Sequence, residues 1–195
     1  MKYLLLLILG FLLVLIGCQA QPSRVTVSAR VERVLSGQVI EVTLLNQNSS
    51  GRKQVRLQGI DAPDRQQTPW GQASLEKLTA LIEQNNPQKV VQLELQEIPE
   101  PQGDRFNRLV APVWQNQVLL NLVLVQGGYA LAQLPKETQE LEDIVLNKYQ
   151  VELLQAQAQA RVMGVGIWDT SQPLRLTPAE FRRHQQPPQT KTLQK

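Results

Sequence analysis

The sequence predicts an α+β, mainly β domain: a five-stranded barrel of the OB type with about three helices. Two observations lead there. Five short segments carry the alternation or β-branched enrichment of strands, and turn-forming residues separate them. Helical spacing follows the third and fifth of these segments instead of alternating with every strand, which argues for a small barrel over a parallel sheet.

The elements follow in order. Residues 25–35 set Val25, Val27, Ala29 and Val31 against polar neighbours and read as a first strand, closed by the turn Ser36-Gly37. Residues 38–45 (QVIEVTLL) are the second strand, and 46–53 a polar loop. Residues 54–60 are the third, followed by Asp61-Ala62-Pro63-Asp64, a loop with two carboxylates three residues apart. Ala73, Leu75, Leu78, Leu81 and Ile82 give residues 70–85 a helical spacing. Residues 89–98 and 108–114 are the fourth and fifth strands. A short apolar helix over 119–126 stops at Gly127-Gly128. A longer one spans 138–163, with Leu141, Val145, Tyr149, Leu153, Ala156 and Ala160 near one face, and ends at Gly164 and Gly166.

The ends of the chain read differently. Lys2 precedes an uncharged apolar run from Leu4 to Ile16, thirteen residues long. A bilayer-spanning helix takes about 17–25, so the run has the length of a signal-peptide core. It leads into Leu15-Ile16-Gly17-Cys18, which resembles a bacterial lipobox. The expectation is a lipoprotein signal peptide over 1–17, lipidation at Cys18, and a tether over 18–24. The domain at 25–169 is then held extracytoplasmically at the cell envelope. Beyond Asp169 the composition turns to Pro, Gln, Thr and Arg, and 170–195 is expected to be a disordered tail, with one helical turn at 179–183. That tail carries Arg175, Arg182, Arg183, Lys191 and Lys195 against Glu180, whereas residues 18–169 sum to −2. The overall charge of +3 therefore belongs to the tail and speaks weakly for nucleic-acid binding by the barrel.

Two counts exclude chemistry. With one Cys no intramolecular disulfide forms. With a single His, His184, set among Gln and Pro near the C-terminus, Cys/His zinc sites and Ser-His-Asp triads are poor readings. Oxygen ligands and arginines remain.

Four segments converge on one resemblance: Val55-Arg56-Leu57-Gln58-Gly59-Ile60-Asp61-Ala62-Pro63-Asp64, Trp70-Gly71-Gln72-Ala73, Asp104-Arg105-Phe106-Asn107-Arg108, and Gly164-Val165-Gly166-Ile167-Trp168. In this order and spacing the chain resembles the staphylococcal nuclease (thermonuclease) family over almost all of 25–169. The resemblance implies an OB-fold barrel and calcium-dependent hydrolysis of DNA and RNA. It places Arg56 and Arg108 on the phosphate, Asp61 and the Ala62 carbonyl on Ca²⁺, and Asp64 with the attacking water. Guanidinium forks match phosphate oxygens and stay charged, and a hard cation takes oxygen ligands.

The chain departs from the family pattern at several points. Gln38 stands where the family has a second calcium-binding Asp, so the metal site keeps an amide oxygen and loses a charge. Glu41 lies an odd number of residues away, on the other face of the strand. Asp64 replaces a Glu and is one methylene shorter. Gln133 and Pro135 stand where the best-studied member has Tyr, and Asn107 replaces a Gly while still tolerating positive φ. Two functions follow as expectations: a nuclease with a weakened calcium site, or a catalytically impaired module that binds or supports at the envelope.

Overall fold

The computed structural model describes residues 24–45, 51–96, 103–133 and 148–185. The signal peptide, Cys18, most of the polar loop, Pro135, the start of the long helix and residues 186–195 lie outside these. Strands β1 (Arg24–Ser36), β2 (Val39–Leu44) and β3 (Arg52–Leu57) form an antiparallel meander. A two-residue strand β4 (Ile60–Asp61) precedes helix α1 (Trp70–Glu83). Strand β5 (Val90–Gln96) returns along the first half of β1. Strands β6 (Leu109–Ala111), β7 (Val113–Gln115) and β8 (Val118–Leu119) lead into α2 (Leu120–Gln126). Strand β9 (Leu131–Ala132), α3 (Lys148–Met163), a 3-10 turn (Gly166–Trp168) and α4 (Pro178–Gln185) complete the chain.

Among the described residues the main sheet has seven strands in the order β6-β3-β2-β1-β5-β7-β8, and β4 pairs with β9 separately. The expected count of five therefore rises by two: the short β8, which pairs with β7 where the helix was expected to begin, and one more from a split strand. The fifth expected strand is split at Pro112, which has no N–H to give a ladder. On one side of it Ala111 accepts from Gln58 N–H at 2.9 Å, and on the other the Pro112 carbonyl accepts from Glu94 N–H at 3.2 Å. Thus β6 runs parallel to β3 while β7 runs antiparallel to β5, and the sheet curls back towards itself. Register shifts in β1 at Val31/Arg33 and Val34/Ser36 add the bend a curled sheet requires.

Ile40, Val42, Val55, Leu57 and Leu93 fill the interior, with Leu78 and Ile82 of α1, Leu124 of α2 and Leu153 of α3 packed against them. Ala156 and Ala160 let α3 approach closely. Buried Asn121 accepts the Val113 N–H at 2.9 Å and donates to the Gln58 carbonyl at 2.8 Å, and Tyr149 Oη donates to the same carbonyl at 2.6 Å. The β3–β4 turn that carries the acidic loop is thereby fixed from two helices. Among the described residues no helix is long and apolar enough to cross a membrane.

A fourth helix corrects the expectation for the C-terminal segment. Residues 170–185 pack on the domain, and α4 covers eight residues rather than one turn. Thr177 and Glu180 form a reciprocal capping box: the Thr177 N–H and Oγ1 donate to Glu180 Oε2 at 2.8 and 2.7 Å, and the Glu180 N–H donates to Thr177 Oγ1 at 3.3 Å. Pro178 occupies the first helical position, where its missing N–H costs nothing, and is buried. Trp70 Nε1 donates to the Gln172 carbonyl and Gln67 Nε2 to the Leu176 carbonyl, both at 2.9 Å.

Candidate active site

The site gathers at one end of the curled sheet. Gln38 lies in the turn just before β2, Arg56 lies on β3, and Asp61 closes β4. Parallel pairing sets Arg56 opposite Val110 of β6, and Arg108 lies just before that strand, near enough for its charge to act on Arg56. Gln133 follows β9, anchored by its N–H to the Gly59 carbonyl at 2.8 Å.

Close approaches position the acidic loop. A Cβ on Gly71 would lie 2.0 Å from the Asp64 carbonyl oxygen and 2.8 Å from Arg65 Cα, so only glycine lets α1 start against the loop. A Cβ on Gly37 would meet that of Ser74 at 2.5 Å and that of Ala62 at 3.0 Å, which places the β1–β2 turn, and Gln38 with it, against Ala62.

Each sequence-predicted arginine is held on one side by protein acceptors. Arg56 Nη2 donates to the Ile60 carbonyl at 3.1 Å and to Gln133 Oε1 at 2.9 Å, and lies 3.9 Å from Asp61 Oδ1. Its Nε and Nη1 have no hydrogen-bond partner among the described residues. Its side chain is 17% exposed. Burial lowers the Arg56 guanidinium from its usual range; Asp61 opposes this, while the positive charges of Arg108 and Arg182 add to it. Arg108 Nε donates to Asp104 Oδ2 at 2.8 Å, with Nη2 on the same oxygen, and Nη1 has no hydrogen-bond partner among the described residues. Asp104 Oδ1 accepts the N–H groups of Phe106 at 2.9 Å and Arg108 at 3.1 Å. Burial alone would raise the Asp104 carboxyl, but its bonds to Arg108 and to this turn hold it below the ordinary carboxylate range. Asn107 has φ of +58°, the left-handed conformation expected of it, and delivers Arg108 from the turn.

The acidic residues meet an unforeseen partner. Arg182 of α4 donates through Nη2 to Asp61 Oδ1 at 2.9 Å and Oδ2 at 2.8 Å, and through Nη1 to Asp64 Oδ2 at 3.1 Å. Burial would lower this guanidinium, but its bond to Asp61 and the charge of both carboxylates raise it above the usual arginine value. Gln38 Nε2 donates to Asp61 Oδ1 at 3.4 Å, and its Oε1 accepts the Ala62 N–H at 2.9 Å. Glu41 is engaged elsewhere, by Arg33 at 3.1 Å and Arg52 at 3.6 Å, and shares no partner with Asp61.

This arrangement does not fit a divalent cation. A hard ion such as Ca²⁺ takes six to eight oxygens. Here both carboxylates carry a guanidinium, the Gln38 oxygen is spent on an N–H, and the Gln38 donor faces Asp61. Among the described residues no group of three or more His, Cys, Asp or Glu side chains gathers in metal-holding geometry.

The structure thus brings Gln38, Arg56, Asp61 and Asp64 together, with Arg108 close enough for its charge to act on Arg56, while the sequence reading gave no role to Asp104, Gln133 or Arg182. Asp104 stood in a quoted motif, and Gln133 was read only as a missing Tyr. The Thr177-Pro178-Ala179-Glu180 capping signature marked α4.

Two comparisons bear on what this site does. A family model described as staphylococcal nuclease homologue matches residues 54–170. A protein of Haemophilus influenzae named an uncharacterized endonuclease is 30% identical over 184 residues, which cover 94% of this chain and 86% of that protein. The family match ends before α4, so the helix that carries Arg182 lies outside it.

Proposed function

Since the chain belongs to the staphylococcal nuclease homologue family, we propose that it is a nuclease that hydrolyses phosphodiester bonds of DNA or RNA. The observation that carries this reading is a pair of guanidiniums, Arg56 on β3 and Arg108 in the turn that leads into β6. The side chains of Arg56 and Arg108 are 17% and 19% exposed, each pinned by protein acceptors, and each keeps N–H groups with no partner among the described residues. They would hold the phosphate oxygens and stabilise the charge that grows on them as the phosphorus is attacked. Asp64 is the carboxylate assigned to the attacking water. Arg182 engages its Oδ2, and Oδ1 has no hydrogen-bond partner among the described residues.

The calcium dependence implied by the resemblance is part of the proposal only for a state in which Arg182 has released Asp61 and Asp64. The lipid anchor at Cys18, with the domain at the cell envelope, is likewise proposed, supported by the apolar run 4–16 and its Gly17-Cys18 ending. The guanidinium lying across both carboxylates favours a second reading, a module that binds nucleic acid and cleaves poorly.

The test is cleavage of DNA and RNA by the full chain in detergent micelles, in millimolar Ca²⁺ and in chelator. The proposal expects cleavage that chelator suppresses. Binding of nucleic acid without cleavage under any cation would favour the second reading.

A further inference from the structure

We infer that Arg182 is the resident cation of the acidic site, and that α4 is an inhibitory strap whose guanidinium excludes a divalent cation from Asp61 and Asp64. Its consequence for cleavage rests on the nuclease reading, whereas the competition itself is a matter of binding.

Three observations support it. The first is the contact: one guanidinium takes both oxygens of Asp61, whose side chain is 7% exposed, and one oxygen of Asp64. A cation delivered on a side chain has the same first claim on these carboxylates as an ion from solution. The second is Gln38. It turns its amide donor to Asp61 and its oxygen to the Ala62 N–H, so Asp61 is surrounded by N–H donors, an environment suited to a guanidinium and unsuited to an ion that needs oxygens. With Gln38 in place of a carboxylate, the two negative charges left are served by Arg182 together with Arg56 at 3.9 Å.

The third is how α4 is attached. The capping box shapes the helix, and hydrogen bonds from Trp70 and Gln67 seat the segment before it. Yet Pro178 is its only buried residue, and an eight-residue helix has little stability of its own. Such an element is well aimed but weakly held, so it can leave. The charge distribution matches: residues 170–195 carry +4 against −2 for 18–169.

Competition of this kind weakens the apparent affinity by the fraction of molecules in which the site is open. Calorimetric titration of Ca²⁺ into the full chain in detergent micelles reads it directly. Arg182→Ala is expected to bind Ca²⁺ at least about tenfold more tightly than wild type. Adding Asp61→Asn should remove that gain. The double variant Thr177→Ala/Glu180→Ala uncaps α4 while keeping Arg182, and should fall between wild type and Arg182→Ala. Equal Ca²⁺ affinity in wild type and Arg182→Ala would overturn the inference. If Arg182→Ala does not fold, unchanged affinity in the uncapped variant overturns it instead. Tighter Ca²⁺ binding without cleavage of DNA or RNA would count against the nuclease reading and leave the strap intact. Efficient cleavage at unchanged affinity would do the reverse.

Discussion

Asp104 offers the clearest quantitative test of how the phosphate grip is built. Its carboxylate holds two turn N–H groups, at 2.9 and 3.1 Å, and the Nε and Nη2 of Arg108. Asp104→Asn keeps an oxygen for the turn but loses the charge opposite Arg108. Asp104→Ala loses all four bonds. A hydrogen bond to a charged group contributes about 1.5–3 kcal/mol, and fully exposed pairs contribute about 0–1 kcal/mol. With both side chains 19% exposed, the pair lies between these limits. Asp104→Asn should cost about 1 kcal/mol and Asp104→Ala about 2–3 kcal/mol, the extra loss coming from the unsatisfied turn. In a domain of about 150–250 residues each kcal/mol moves Tm by about 2–4 °C. The sign of the pH dependence follows from the lowered Asp104 carboxyl. Its contribution is whole above the unfolded aspartate value of about 3.9 and is lost as the pH falls through the lower folded value. Urea titrations at several pH values should therefore show a gap between wild type and Asp104→Asn that is steady near pH about 6 and narrows as the pH falls below the unfolded aspartate value of about 3.9. A gap that persists in acid, or Asp104→Asn as stable as wild type at neutral pH, would refute this account of how Arg108 is held.

Three further outcomes follow. Gly71→Ala should displace the acidic loop, because the added carbon would meet the Asp64 carbonyl oxygen at 2.0 Å; thermal denaturation should show a loss of about 1–3 kcal/mol, with nuclease activity reduced as well. Gln133→Ala frees Arg56 from one of its two Nη2 acceptors and should weaken binding of a short DNA strand by about three- to tenfold, with a stability cost near 1 kcal/mol, as read by fluorescence anisotropy and urea titration. Arg182→Ala should lower stability in chelator by about 1–3 kcal/mol, since Asp61 keeps only Gln38 and the more distant Arg56, and millimolar Ca²⁺ should restore much of that loss in the variant while stabilising wild type less.

Much of the scaffold was legible because alternation, helical spacing and glycine stops act locally. The strands at 24–36, 39–44, 52–57 and 90–96 fall close to their expected places, as does the helix at 70–83. Asn107 takes the positive φ its chemistry allows. The split at Pro112 follows from a missing N–H, but only the sheet shows that its two sides serve different neighbours. For the candidate site, residues could be named from the sequence but their pairings could not. Nothing local tells which end of the Gln38 amide faces Asp61, since that depends on Ala62 offering an N–H nearby. Arg182 was hidden more deeply. The composition of its segment argues for disorder, and its partners lie 118 and 121 residues away. Only the fold brings them together, while the Thr177–Glu180 cap marked the helix locally.

The central claim is that Arg56 and Arg108 grip the scissile phosphate of a nucleic acid. Single-turnover cleavage of single-stranded DNA and of RNA in saturating Ca²⁺, comparing the wild-type chain with Arg56→Ala and Arg108→Ala, tests it most directly. The account predicts cleavage by wild type that falls about 10²–10³-fold in each variant. Cleavage that survives both substitutions undiminished would contradict it, as would its absence from both wild type and Arg182→Ala.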